Sequence, residues 1–355
     1  MFGYYTAYII VVLCLLVSFS KDKKLDRLAY VVLAIVLVCL CGFRHVEYID
    51  GNDSYGYYEW FLNIDRIKNL SDEDHMDPTF FILTKCIRVF TSNEYVFGFI
   101  IALLTITPVL YLYKKVSPFP LIAVFLYVCM QTGGSSPYFM AFNQMRQALA
   151  VSFMCIAVYY YIKNSCHFNK RVIAFLIIMV FTHWTSLLML IPFLLKKIRI
   201  EKYYYIGGMI VAAVAGLFAQ RFVPQLSDLF LLLNQGFFID NDTEFSLVRN
   251  IPMLLLSCFV FVISSKDECN SFEHKCLFLT FVLFGVLAPF SNSIFRFCIY
   301  YNVIGNLAIA SSFYKSFKKK NVISIGVGAI TFAYMSYVIL VSLAGVEKEY
   351  PYSIW

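Results

Sequence analysis

The sequence predicts an all-α, polytopic integral membrane protein with about ten to twelve transmembrane helices. Three observations point there. The chain is 60% hydrophobic and only 14% charged, with a mean hydropathy of +0.72, whereas soluble domains carry about a quarter charged residues. Apolar runs close to the twenty or so residues needed to cross a bilayer recur from one end to the other. Basic residues gather in short clusters between those runs, as orientation in a membrane requires. Too little polar surface remains to coat a soluble body of 41.0 kDa. A cytosolic enzyme, a secreted disulfide scaffold and a disordered chain are therefore excluded.

Taken in order, the candidate spans are 2–20, 28–43, 95–113, 118–131, 145–162, 203–219, 249–265, 276–290, 294–314 and 322–344. The first is read as a span, not a cleaved leader. It lacks a basic segment before it, and its positive charges (Lys21, Lys23, Lys24, Arg27) follow it. Two stretches are partial elements: 79–90, short and carrying Lys85 and Arg88, and 171–195, a broken hairpin interrupted by His183. With 21–27 in the cytoplasm, this arrangement puts 19 of the 29 basic residues on one face. Making both partial elements full spans gives the twelve-helix alternative, which exports the basic loops at 114–115 and 163–171. The whole of 1–355 reads as one transmembrane domain.

Two segments fall on the outer face. Loop 44–78 holds nine acidic residues against three basic ones, with Tyr48, Tyr55, Tyr57, Tyr58 and Trp60. Carboxylates accept hydrogen bonds from hydroxyls and aromatic rings stack on apolar sugar faces, so the composition suits a polyhydroxylated ligand; the plainer reading is a solvated acidic loop. Segment 220–248, with its apolar run Leu229–Leu233, reads as an interfacial helix and loop. The net charge of +7 is modest and gives no reason to expect nucleic acid. The 11 cysteines lie mostly inside apolar runs, with no CxxC pair. They read as small hydrophobes, and neither metal nor cofactor is expected.

Ionisable groups at span ends carry the functional signal, because burying one in a membrane costs several kcal/mol (about 3 at the centre of a span). Arg44, Arg146, Arg296 and His183 all fall at the outer ends. Arginines from distant spans would repel unless they surround an anion, and guanidinium grips phosphate oxygens in pairs. Each has a bland reading. Arg44 is placed where a side chain can snorkel, Arg296 is flanked by apolar residues, and His183 reads equally as a satisfied core histidine. Asp53 in Gly51-Asn52-Asp53-Ser54 reads equally as a turn residue, and Asp77-Pro78 as a helix start. Arg146 opposes the helix macrodipole at the start of its span, which disfavours mere anchoring.

These residues form a pattern. Phe43-Arg44 followed by Asn52-Asp53-Ser54-Tyr55, with Tyr57 and Tyr58, resembles the opening motif of EpsG-type, Wzy-like polysaccharide polymerases. Asp77-Pro78-Thr79-Phe80 looks like that family's acidic-Pro motif, which more often begins with Glu. Phe142-Asn143-Gln144-Met145-Arg146-Gln147-Ala148-Leu149-Ala150 is similar to its FN..RQ.IA segment. Phe181-Thr182-His183-Trp184-Thr185-Ser186 resembles its FH.S element, and Arg296 with Tyr300 its late arginine–tyrosine span. The resemblance covers roughly residues 1–315.

It implies a bacterial inner-membrane glycosyltransferase, GT-C-like, with a cavity on the periplasmic or external face. Such enzymes polymerise oligosaccharide repeat units carried on undecaprenyl pyrophosphate into O-antigen, capsule or exopolysaccharide, without a metal. Implied partners are that lipid-linked oligosaccharide, membrane lipid and a chain-length regulator. Asp53, His183 and Arg146 are then the expected catalytic residues. Arg44, Tyr57, Asp77, Asn143, Gln147, Arg296 and Tyr300 are the expected substrate-binding ones. A flippase for the lipid-linked sugar and an O-antigen ligase-type transferase are the competing readings; the chain shows no repeat symmetry of the kind many transporters carry.

Overall fold

A computed structural model describes residues 3–18, 22–44, 53–67, 77–130, 136–219, 247–287, 295–320 and 322–349. The described chain is helical throughout, and it divides into two compact units. The first comprises residues 1–130, 136–187 and 337–355; the second comprises 131–135 and 188–336.

The first unit holds α1 Gly3–Ser18, α2 Lys23–Gly42, α3 Asp53–Asn63, α4 Pro78–Phe90, α5 Glu94–Val116, α6 Pro120–Cys129, α7 Pro137–Asn143, α8 Met145–Lys163 and α9 Lys170–Thr182. Side-chain caps fix several starts: Asp22 accepts from Lys24 N at 2.8 Å, Asn93 from Tyr95 N at 2.8 Å and Asn169 from Val172 N at 2.9 Å. Helices α2, α5 and α8 are long and apolar enough to cross a membrane. Shorter apolar helices occur at Tyr5–Ser18, Pro120–Cys129, Lys202–Phe218, Ile251–Ile263 and Ile325–Val341. α2 packs on α5, α5 on α8, and α8 on α9. At the C-terminal end of α2 the fit is close: a Cβ on Gly42 would sit 2.8 Å from Phe99 Cα on α5, so only glycine allows this approach. Buried tyrosines tie helices together by hydrogen bonds to backbone carbonyls, Tyr30 to Leu110 at 2.5 Å and Tyr138 to Leu37 at 2.9 Å.

The second unit contains a 3₁₀ turn Trp184–Met189 at its border, α10 Leu190–Leu194, a 3₁₀ turn Leu195–Lys197, α11 Lys202–Ala219, α12 Leu247–Ile263, α13 Lys266–Cys269, α14 Phe272–Leu287 and α15 Phe295–Lys318. The last helix, α16 Val322–Glu349, begins in the second unit and ends in the first. Lys275 is buried, and its Nζ donates to the carbonyls of Leu195, Lys196 and Ile198 at 2.8, 3.0 and 2.8 Å. One ammonium thereby satisfies three chain-end carbonyls that would otherwise be orphaned.

Next to it, and ahead of the apolar run 276–290, His274 is 5% exposed. Its two ring nitrogens meet Ser264 Oγ and Ser271 Oγ, each at 3.0 Å, and Ser264 Oγ continues to Ser312 Oγ at 3.1 Å. Burial pushes its pKa down to about 4, with Glu268 pulling up and Lys315 down. Between the ordinary value of 6.5 and about 4 the unfolded chain binds the proton and the folded one does not. Stability is therefore intact above pH 6.5 and lost as pH falls through 4, by about 3 kcal/mol for this group. Thermal unfolding in detergent should show a downward step over that window, and His274→Gln, which cannot titrate, should flatten it.

Each span predicted from the sequence contains a helix, but 118–131 is reduced to the ten residues of α6. Its start is set by Pro120 at the first turn, where a missing N–H is harmless and φ is already helical. The 79–90 stretch is the 13-residue α4, too short to span at 1.5 Å per residue. It lies against α3 and the 3₁₀ turn Ile64–Arg66 that follows it, where Arg88 pairs with Asp65 at 2.9 Å and Lys85 donates to Ile67 O at 2.8 Å. Loop 44–78 is not all loop, since α3 occupies its middle. Segment 220–246, where the interfacial helix was expected, lies outside the described residues.

Candidate functional site

The site in the first unit is built on an aromatic floor. Tyr57, Tyr58 and Phe61 of α3 pack with Phe80 and Ile87 of α4, Phe97 and Ile101 of α5, and Met145 and Leu149 of α8. Phe61 stacks on Phe97 with centroids 4.4 Å apart, and Tyr57 meets Phe80 edge-on at 5.4 Å. Residues 57, 58 and 61 share one helical face, so α3 buries these rings. The expected stacking of Tyr57 on a sugar is not what its ring does here; only its hydroxyl reaches the polar layer above.

That layer is centred on Asp77. It occupies the N-cap position of α4, yet its carboxylate makes no capping bond. Oδ2 instead accepts from Arg146 Nη1 at 3.1 Å and faces His183 Nδ1 at 3.4 Å. The plain helix-start reading of Asp77-Pro78 therefore accounts for Pro78 and not for the carboxylate. Arg146 Nε donates to Tyr57 Oη at 3.2 Å, and the guanidinium lies over Tyr57 and Trp60 at 5.6 and 5.5 Å. Burial raises the Tyr57 phenol above its ordinary pKa against the lowering pull of Arg146, so the oxygen stays a neutral acceptor. Side-chain exposures of 14%, 20% and 21% for Asp77, Arg146 and His183 leave all three partly accessible.

Local backbone explains how three distant segments meet. α7 stops at Asn143, Gln144 (φ −112°, ψ 64°) breaks the helix, and α8 restarts at Met145. Arg146 thus stands in the first turn of a 19-residue helix, where backbone N–H groups and the macrodipole favour an anion. His183 is the extended residue that ends α9, with φ −164° and ψ 112°. Its carbonyl accepts from Ser186 N at 3.0 Å as the chain turns into the following 3₁₀ segment. The helix break expected at His183 is where the chain turns.

Arg44 is buried, at 7% exposure. Its Nη2 donates to Ser54 Oγ and to Phe142 O, both at 2.7 Å, and the guanidinium lies 5.1 Å from the Phe142 ring centroid. Ser54 Oγ donates to Phe142 O at 2.5 Å, and Asn143 Oδ1 accepts from Ser54 N at 3.2 Å. Arg44 and Asn143 therefore hold the start of α3 against the end of α7. Asp53, exposed at the start of α3, acts electrostatically on both Tyr57 and Arg146. Gln147 is buried in α8, and Tyr300 is fully buried in α15 of the second unit. Arg296 stands in the first turn of α15, and its side chain lies outside what is described.

The chain matches the model of the EpsG family over residues 27–354. It belongs to the EpsG family. No curated relative and no solved structure matches. EpsG is a polysaccharide polymerase-like family, and this member is a multi-pass membrane protein of polysaccharide polymerase type. In this EpsG-family protein the match takes in Asp77, Arg146 and His183 together with Arg44, Asn143 and Ser54. Sequence reasoning gave Trp60 only as one of the loop's aromatic rings and Ser54 only as part of a motif, and assigned neither to the site. Trp60 lies three residues after Tyr57, and that spacing points to one helical face once 53–63 is read as a helix.

Proposed function

We propose that this EpsG-family protein polymerises oligosaccharide repeat units carried on undecaprenyl pyrophosphate, at a site facing the periplasm or cell exterior. The observation that carries the reading is one carboxylate, Asp77, holding a guanidinium and an imidazole side by side. In the reaction the bond from the donor's anomeric carbon to its phosphate oxygen breaks, and undecaprenyl pyrophosphate leaves. The acceptor hydroxyl forms the new glycosidic bond and gives up its proton. Arg146, at the start of α8, stabilises charge growing on the departing pyrophosphate. His183, with Nδ1 turned to Asp77, presents Nε2 to take the acceptor proton. Asp53 engages acceptor hydroxyls. Guanidinium charge serves in place of a metal, on a GT-C-like scaffold.

The outward orientation is supported by charge. Arg44, Arg146 and His183 sit at one end of α2, α8 and α9, while Lys23, Lys24, Lys163, Lys170 and Arg171 sit at the other. The positive-inside rule puts the second set in the cytoplasm. Deleting the gene in its native strain should remove long-chain glycan and leave single repeat units on the lipid carrier at the outer face. Units trapped at the cytoplasmic face would indicate a flippase instead, and full-length polymer still on its carrier a ligase.

A further inference from the structure

The opposite end of the α8–α9 pair holds a second polar feature that the polymerase reading does not use. Tyr160, Lys163, Asn164, Asn169, Lys170 and Arg171 line an open cavity of about 420 Å³. That is on the order of ten water volumes, room for a phosphate and the group it is esterified to. No carboxylate lines it, and among the described residues none pairs with Lys163, Lys170 or Arg171. Two of these cations stand in the first turn of α9, which has no acidic residue, so they oppose its macrodipole. Lys163, in the last turn of α8, adds a third cation to the cluster, and three like charges around one cavity describe a site suited to an anion.

The rings around the cavity bear on its depth in a bilayer. Tyr111 and Tyr159 meet edge-on with centroids 5.2 Å apart, and Tyr159 meets Tyr160 at 5.3 Å. Tyr160 in turn stacks on Phe175 at 6.0 Å. Lys115 lies over Tyr111 at 5.6 Å, Lys163 over Tyr159 at 5.7 Å and Arg171 over Tyr160 at 5.2 Å. Amphipathic rings banded with cations at the ends of apolar helices mark the headgroup level of a bilayer. α8 is 19 residues long, so at 1.5 Å per residue this band lies roughly 25 Å from Arg146, across the hydrocarbon core.

We infer that this cavity binds the phosphate of an anionic phospholipid headgroup in the leaflet opposite the Arg146 site, with Lys163, Lys170 and Arg171 as its cationic ligands. Asn164 and Asn169 add neutral hydrogen-bonding groups to the wall, and the Arg171 guanidinium lies over the Tyr160 ring. The same phosphate chemistry serves a free phosphate ion, and the test separates the two.

Purified protein in nanodiscs of phosphatidylcholine containing phosphatidylglycerol is examined by native mass spectrometry for retained phosphatidylglycerol. At about 1 kcal/mol per cation near a membrane surface, the variant Lys163→Gln/Lys170→Gln/Arg171→Gln should bind it on the order of 100-fold more weakly. The variant Lys23→Gln/Lys24→Gln/Arg27→Gln, which removes equal charge from the start of α2, should retain it. Equal loss in both variants would mean a diffuse basic face and overturn the site. In a second arm, ³¹P NMR line broadening with inorganic phosphate alone is measured. Broadening that the first variant abolishes, without lipid retention, would assign the site to free phosphate and overturn the lipid assignment. No binding of either probe would overturn the proposal altogether.

Discussion

Arg146→Lys is expected to stop chain elongation while leaving the protein in the membrane at its normal level. Lysine keeps the charge that faces Asp77 at 3.1 Å, so the half-buried carboxylate is not abandoned and folding is largely preserved. What is lost is the planar fork. Arg146 holds Tyr57 through Nε at 3.2 Å and Asp77 through Nη1, with its face on Tyr57 and Trp60. An ammonium is a single point of charge and cannot keep both bonds while also meeting a pyrophosphate oxygen. Removing one donor aimed at developing negative charge typically lowers a rate by about 10²–10³. A loss of that size, about 3–4 kcal/mol in the barrier, removes the glycan ladder on a gel. Immunoblots of membranes alongside the gel check both halves. Normal chain lengths would take Arg146 out of the reaction.

Asp77→Asn should be nearly as damaging, for a different reason. Asparagine is a good N-cap residue, so α4 has no cause to unravel. It is neutral, though, and it leaves Arg146 without its counter-charge. It also no longer fixes His183 with Nδ1 protonated and Nε2 open. Where a carboxylate sets the tautomer of a catalytic histidine, its amide costs up to about 10⁴ in rate. Asp65→Asn is the control, since Asp65 is 66% exposed and pairs with Arg88 at the surface, where such pairs contribute about 0–1 kcal/mol. Glycan ladders of the two variants should differ sharply. If Asp65→Asn and Asp77→Asn behave alike, Asp77 has no special role.

The sequence was a good guide wherever hydropathy or helix chemistry sets the answer locally. Runs of apolar residues placed the helices, and a histidine inside an apolar stretch placed the break that ends α9 at residue 182. Arg146 stood out because a cation at a helix start is unfavourable unless something balances it. That balance is Asp77, 69 residues away, and no local pattern reveals such a pairing. The same holds for Arg44, whose partner is the carbonyl of Phe142, 98 residues on. α3 was hidden for another reason. Residues 53–63 are too polar and too short to register as a span, with Gly56 inside, so an aromatic–acidic helix reads as loop. Its buried face depends on α4 and α5 for cover, and tertiary packing of that kind is set by neighbours far along the chain.

The most direct test is single-turnover transfer by the purified protein in liposomes, with a synthetic polyprenyl-pyrophosphate-linked repeat unit. Formation of the two-unit product and release of polyprenyl pyrophosphate are followed together for the wild type, Arg146→Lys and His183→Gln. The expected result is product and polyprenyl pyrophosphate in equal amounts from the wild type, and a loss of both, by at least about 100-fold, from each variant. Product formed at the wild-type rate by either variant would contradict a reacting centre built on the guanidinium and imidazole that Asp77 holds together.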